Sequence, residues 1–328
     1  NIKLVLRKNN DYFQTDSSGI QLPYLEAVSV TFLAEKQSEF LQLVKGKIDF
    51  ISGLDNSYKD EIINNDGSLN KYYENKIKML RGPYLNTEYL AFFMESEKNE
   101  IKSDLIRKAI NIGFDKAKMI KYLRNGVGMP ANTGFIPIGL PGHRETNLNK
   151  YNPDLAKKYV EEFKKIYNNV PSLKLTTSSN YLDFCEFIQK ELEKLGIEII
   201  IDVIPGSALK QAKASGKLDF FRASWIADYP DAENYLSLFY SKNFAPNGPN
   251  YTHFSDDDFD KIYERSLKIT DPEKSKLIYS ELDSIISSKS IIVPLFYDEV
   301  VRFVSKNVKG MEINATNLLD LRKIKKVN

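Results

Sequence analysis

Residues 173–204 constrain the fold more than any other part of the sequence. Residues 173–177 alternate apolar and polar side chains, the period of a half-buried strand. Ser179 or Asn180 then opens a helix that sets Tyr181, Phe184, Cys185, Ile188, Leu192 and Leu195 on one stripe. Gly196 ends it, because glycine takes the left-handed backbone that closes a helix at little steric cost. Residues 197–204 alternate again. A strand, a helix and a strand joined by turns this tight predict a right-handed βαβ unit in a parallel or mixed sheet.

The same reasoning extends along the chain. Asn152-Pro153 supplies a cap followed by proline in the first turn, which predicts a helix to about Tyr167. Residues 29–33 read as a strand, 35–45 as a helix stopped by Gly46, and 48–51 as a second strand of the same sheet. Residues 88–94 form another strand. Ser103 caps a helix through Ile110, and a further helix follows Asp115 and stops near Gly126. Residues 126–143 are rich in Gly and Pro and read as a long loop, a kind often used for function. Helices follow at 256–267 and 271–287, the second behind a capping box at Thr270-Asp271-Pro272-Glu273. Residues 291–297 form an apolar strand and 318–321 a short one. The fold class is α/β with several sheet segments.

Composition excludes more than it suggests. With 46 basic and 44 acidic side chains the formal charge is +2, so nothing points to nucleic acid as a partner. No run approaches the roughly 20 apolar residues that span a bilayer. Cys185 is the single cysteine, which excludes an internal disulfide and a Cys-rich zinc site. His143 and His253 are far apart and lack ligand spacing. No metal or other cofactor is expected. There is no GxxxxGK, GxGxxG or GxSxG, while a glycosidase-type carboxylate pair stays open among so many acids. Asp256-Asp257-Asp258 reads as the start of a helix, where negative charge complements the dipole. Residues 1–7 alternate as a strand and carry no signal-peptide pattern. A strand at residue 2 without an initiating Met leads us to expect a fragment of a longer protein.

Residues 220–231 are the most informative for function. They hold the only tryptophan, Trp225, a lone Arg222, and Asp228 and Asp231 around a Tyr229-Pro230 turn. A strand ending in this way places charged and aromatic groups at a sheet edge, where open α/β sheets bind ligands. The plainer reading is that the acids cap turns and Arg222 pairs with a carboxylate. Position alone leaves both open.

These residues also resemble a known family. Arg7-Lys8-Asn9-Asn10-Asp11-Tyr12-Phe13, Leu22-Pro23-Tyr24-Leu25-Glu26 and Leu43-Val44-Lys45-Gly46-Lys47-Ile48-Asp49 are similar to segments of the bacterial extracellular solute-binding proteins of family 5. So are Ile106-Arg107-Lys108-Ala109-Ile110 with Phe114-Asp115-Lys116, Gly128-Met129-Pro130-Ala131 with Pro137 and Leu140-Pro141-Gly142, and Tyr151 through Lys157. Trp225 through Asp231 and Ile292-Val293-Pro294-Leu295 complete the series in the right order. Phe93-Met94 and Asp115-Lys116 depart from the family's Phe-Asn and Asp-Arg.

The resemblance implies a fold like that of type II periplasmic binding proteins, two lobes with mixed sheets joined by two hinge crossings, here without the N-terminal part of the first lobe. Residues 1–88 would belong to lobe I, 89–296 to lobe II, and 297–328 would return to lobe I. It implies a substrate-binding component of an ABC importer that captures short peptides in the cleft between lobes, with no catalytic residues. Its partners would be the solute and the membrane permease, the protein itself a monomer. The location would be periplasmic or at the cell surface, with any lipid anchor upstream of this chain. The resemblance assigns Asp228 to the peptide amino group, Arg222 to the carboxylate at one ligand length, and Trp225 and Tyr229 to the pocket wall. An oligosaccharide or metal chelate is the alternative ligand, and a hydrolase on the same scaffold the alternative of another class.

Overall fold

A computed structural model describes residues 3–55, 57–146 and 148–327. The part of the expected first strand at Asn1 and Ile2 lies outside the described residues. Strands β1 (Lys3–Arg7) and β2 (Ala27–Thr31) pair antiparallel with each other. Helix α1 (Lys36–Val44) follows, and the chain turns at Gly46 with φ of 68°. Then come β3 (Phe50–Ser52), the one-turn α2 (Lys59–Ile62) and the 16-residue β4 (Ile77–Phe92). Helices α3 (Asn99–Lys102), α4 (Asp104–Ile112) and α5 (Lys116–Arg124) lead to the short β5 (Met129–Pro130). The next run alternates: α6 (Pro153–Tyr167), β6 (Ser172–Thr177), α7 (Leu182–Glu193), β7 (Glu198–Val203), α8 (Gly206–Ala214) and β8 (Phe220–Ile226). Helices α9 (Glu233–Leu236), α10 (Asp257–Ser266) and α11 (Pro272–Lys289) precede β9 (Ile292–Ser305). Finally β10 (Val308–Lys309) pairs with β11 (Lys325–Lys326).

The chain divides into two compact units. The first comprises Asn1–Tyr84, Arg124–Val127 and Glu299–Asn328, and the second Leu85–Leu123 and Gly128–Asp298. Strands β4 and β9 each contribute residues to both units. In the first unit, β3 pairs antiparallel with the end of β9, Ile51 opposite Phe303. Its core gathers Phe40, Leu43, Ile62, Tyr73 and Phe303. In the second, β8 runs antiparallel to β4 and parallel to β6, which pairs parallel with β7. Its core gathers Leu90, Phe92, Ile110, Phe163, Leu175, Ile188 and Phe220. Each such side chain, taken fully from water, contributes about 1.5–3 kcal/mol.

Side chains cap some helix starts and not others: Ser103 stands at the N-cap of α4, as expected, but its side chain makes no cap bond. The Asn152 side chain accepts the Leu155 N–H at 3.1 Å and Pro153 opens α6. Asp256 accepts from Asp258 and Phe259, so the acidic triplet is a helix start. The stripe read on α7 is buried at Phe184, Cys185, Ile188 and Leu192.

Three expectations need correction. Strands β2 and β3 do not share a sheet: β2 pairs with β1 and β3 with β9. Periodicity signals a strand but carries no record of a partner some 250 residues away. Residues 318–321 form no strand, because side chains use the carbonyls there: Leu318 O accepts from Asn314 at 2.9 Å and Arg302 at 3.2 Å. Before α11 the cap is Asp271, which accepts from Glu273 at 3.0 Å and Lys274 at 3.4 Å, so no box forms around Thr270.

Candidate ligand-binding site

The winding of the second unit marks one place in its sheet. From β6 the chain passes through α7 to β7 on one side, then through α8 to β8 on the other. The direction of winding therefore reverses between β6 and β8, both parallel. Helices diverge at such a switch point and leave a crevice at the carboxyl ends of the strands, where open α/β sheets take ligands. The end of β6 carries Thr177, Ser178 and the 3-10 turn Ser179–Tyr181. The end of β8 carries Trp225, Ile226, Ala227 and Asp228.

Alternation along β8 sorts the expected site residues. Arg222 lies opposite Leu90 and Trp225 opposite Thr87, so the two face opposite sides of the sheet. Arg222 is buried and ion-paired with Glu88, one step diagonally across on β4. Its guanidinium carbon sits 3.1 Å from the centroid of the Tyr181 ring. Glu88 also accepts from Asn86 at 3.1 Å and Tyr181 at 3.5 Å. The Arg222 Nε and the Asn86 Oδ1 are buried with no hydrogen-bond partner among the described residues. Trp225, on the other face, is half-buried and donates its indole N–H to Asn234 Oδ1 at 2.8 Å.

Asp228 and Tyr229 follow the strand and are exposed. The loop that carries them is tied at several points. The Ala227 N–H bonds Leu85 O at 2.8 Å, and the Asp228 N–H bonds Asn234 Oδ1 at 3.2 Å. Asp231 accepts the Glu233 N–H at 2.8 Å. The Glu233 carboxylate accepts the hydroxyls of both Tyr229 and Tyr263. Burial first, then the Glu233 bond, pushes the Tyr263 phenol well above its ordinary value. The loop thus offers an exposed carboxylate, Asp228, on a backbone held by buried groups, beside two aromatic side chains. Such a group can accept charge-assisted hydrogen bonds from an ammonium or hydroxyls without reorganising.

Sequence reading missed Glu88, Tyr181, Glu233 and Asn234. A signal for Glu88 existed: it is the single acid of β4 and directly precedes the apolar and aromatic run 89–94. Asn234, buried within a one-turn helix, had none. Other buried polar groups lie elsewhere in the second unit. Asp283 bonds Arg144 at 3.1 Å and the Phe135 N–H at 2.8 Å; burial pushes its carboxyl up while Arg144 opposes. Among the described residues Lys116 bonds Asn111 and Ala131 O, and burial pushes its ammonium down to about 7. In the first unit an open concavity of about 660 Å³ is walled by Leu6, Pro23, Leu25, Val28, Leu318 and Leu321. No group of three His, Cys, Asp or Glu side chains among the described residues is placed to hold a metal ion. No helix of the described residues is long and apolar enough to cross a membrane.

The sheet of the second unit thus has its switch point between β6 and β8, with Trp225 and Asp228 at the carboxyl end of β8. Residues 1–247 match the family of bacterial extracellular solute-binding proteins, family 5 (middle), and the chain belongs to that family. A relative from Escherichia coli, described as a probable D,D-dipeptide-binding periplasmic protein DdpA, is 24% identical over 295 residues, 89% of this chain and 54% of the relative. The periplasmic binding protein DppA from Helicobacter pylori, solved with the peptide STSA, superposes with a TM-score of 0.82 at 22% identity, over 99% of this chain and 60% of its own. AgaA from A. tumefaciens, solved with agropinic acid, has a TM-score of 0.78 at 21% identity, over 99% and 65%. The fold is the mixed α/β fold of periplasmic binding proteins. The chain spans about half the length of the curated relatives it matches.

Proposed function

We propose that this chain captures short peptides for an ABC importer, outside the cytoplasmic membrane, and hands them to the permease without chemical change. The observation that carries the reading is the exposed Asp228 carboxylate at the carboxyl end of β8, its backbone N–H fixed by Asn234. A peptide's α-ammonium would make charge-assisted hydrogen bonds there of about 1.5–3 kcal/mol. Trp225 and Tyr229 would flank the first residue. Arg222 already has Glu88 as its counter-ion, so a ligand carboxylate would have to compete for it or use its unpartnered Nε. The peptide names of DdpA and of the DppA complex support the substrate class. The agropinic acid complex of AgaA favours a non-peptide solute as the second reading.

Mass spectrometry of ligand released on denaturing the gently purified protein tests this directly. A ladder of mixed short peptides is expected; a single defined non-peptide compound would overturn the substrate class. In a binding assay, Asp228→Asn is expected to weaken free-amine peptides at least tenfold and to leave N-acetylated ones nearly unchanged. Equal losses for both would remove Asp228 from the amino-group role.

A further inference from the structure

Three of the four residues expected from sequence to meet a ligand are held by two consecutive side chains of α9. Asn234 Oδ1 takes the Trp225 indole N–H at 2.8 Å and the Asp228 backbone N–H at 3.2 Å, and Glu233 takes the Tyr229 hydroxyl. Both partners of Asn234 Oδ1 are obligate donors, so the amide oxygen must face them; the amide orientation follows from chemistry. Asn234 is only 5% exposed and its backbone N–H bonds Asp231 O at 3.3 Å, so its side chain is enclosed on a fixed stretch of main chain. A leucine there has nearly the same size and no acceptor. It would leave an indole N–H and a peptide N–H in competition for water at the edge of a packed site.

We infer that Asn234 is the positioning residue of the ligand site: one carbonyl oxygen couples the Trp225 wall to the backbone that aims Asp228. This rests on the functional reading above. Asn234 itself touches no ligand in this scheme. It sets where the carboxylate stands relative to the indole, and so which amine-bearing ligands fit both.

Trp225 is the only tryptophan of the chain, which gives the coupling its own spectroscopic reporter. The experiment compares the unaltered chain, Asn234→Leu, Asn234→Asp and Asp228→Asn, each checked for folding by circular dichroism. The first readout is the indole N–H resonance of Trp225 without ligand. It is expected to move in Asn234→Leu and to stay near its original position in Asn234→Asp, which keeps an acceptor. The second readout is binding of a pool of di- to penta-alanine with free amino termini against the same pool N-acetylated. Asn234→Leu is expected to lose at least tenfold in preference for the free amine, although Asp228 is intact.

An unmoved indole resonance in folded Asn234→Leu overturns the inference. So does a moved resonance with the amine preference retained, where Asp228→Asn does lose that preference. If Asp228→Asn also leaves the preference unchanged, or the unaltered chain has none, the functional reading falls and takes the inference with it. In that case the moved resonance still identifies the bond, so the two failures are told apart.

Discussion

Glu88 and Arg222 face each other across β4 and β8 with side chains 4% and 11% exposed, which makes their pair sensitive to the loss of either member. A buried ion pair is no strong source of stability when weighed against apolar residues of the same volume. Removing one partner is another matter, since the remaining charge stays desolvated at a cost of about 3–5 kcal/mol. Glu88→Gln is therefore expected to lower the urea unfolding free energy by about 3 kcal/mol. The double variant Glu88→Gln with Arg222→Met should recover a large part of that. Additive losses in the double variant would show that the two side chains act independently. At Asp228 the logic is reversed: the side chain is exposed, so Asp228→Asn is expected to leave stability within about 0.5 kcal/mol while changing binding.

Elements repeat the theme with backbone groups in place of charges. Helix α6 starts where Asn152 accepts the Leu155 N–H and ends at Asn168, whose φ of 50° lies in the left-handed region. Its buried stripe, Ala156, Val160 and Phe163, packs into the core of the second unit beside α4. Asn152→Ala leaves that packing intact and removes only the cap, so a loss of about 1 kcal/mol is expected in denaturant unfolding. Asn152→Asp, which keeps the acceptor and adds charge favourable to the dipole, should show no loss. A drop as large for Asp as for Ala would assign Asn152 some role other than capping. The two-sided sorting of β8 belongs to this scale as well. Period-two alternation, visible in the sequence, already separates Arg222 from Trp225 by an odd number of residues. The two cannot line one face.

For the whole molecule, the buried charge at Lys116 ties stability to pH. The side chain is 2% exposed and bonds an amide oxygen and a main-chain carbonyl, with no carboxylate partner among the described residues, and burial pushes its ammonium from 10.5 down to about 7. A lysine lowered in the folded state releases its proton there first. Between about pH 7 and 10.5 the unfolded chain holds a proton that the folded chain has lost, so stability rises with pH through that window. Below pH 7 both states are charged and the full desolvation penalty applies. The rise is at most about 1.4 kcal/mol per pH unit. Lys116→Met, which fills the same space without a charge, is expected to flatten the climb measured by denaturant unfolding between pH 7 and 9. The same climb in both proteins would move its origin elsewhere.

Local interactions were legible in the sequence because their signals lie within a few residues of one another. The βαβ run from β6 to β7, the stripe on α7, the caps at Asn152 and Asp256, and the turn that follows Trp225 are all of this kind. The resemblance that runs through the same segments placed the family. What the tertiary structure decided was pairing over long separations, β3 with β9 rather than β2 and Glu88 with Arg222, together with the bonds of Asn234 to Trp225 and Asp228, which are short in sequence but set by how α9 packs against the loop after β8. Periodicity tells a side chain which face to occupy, and only the packed sheet determines what stands opposite it.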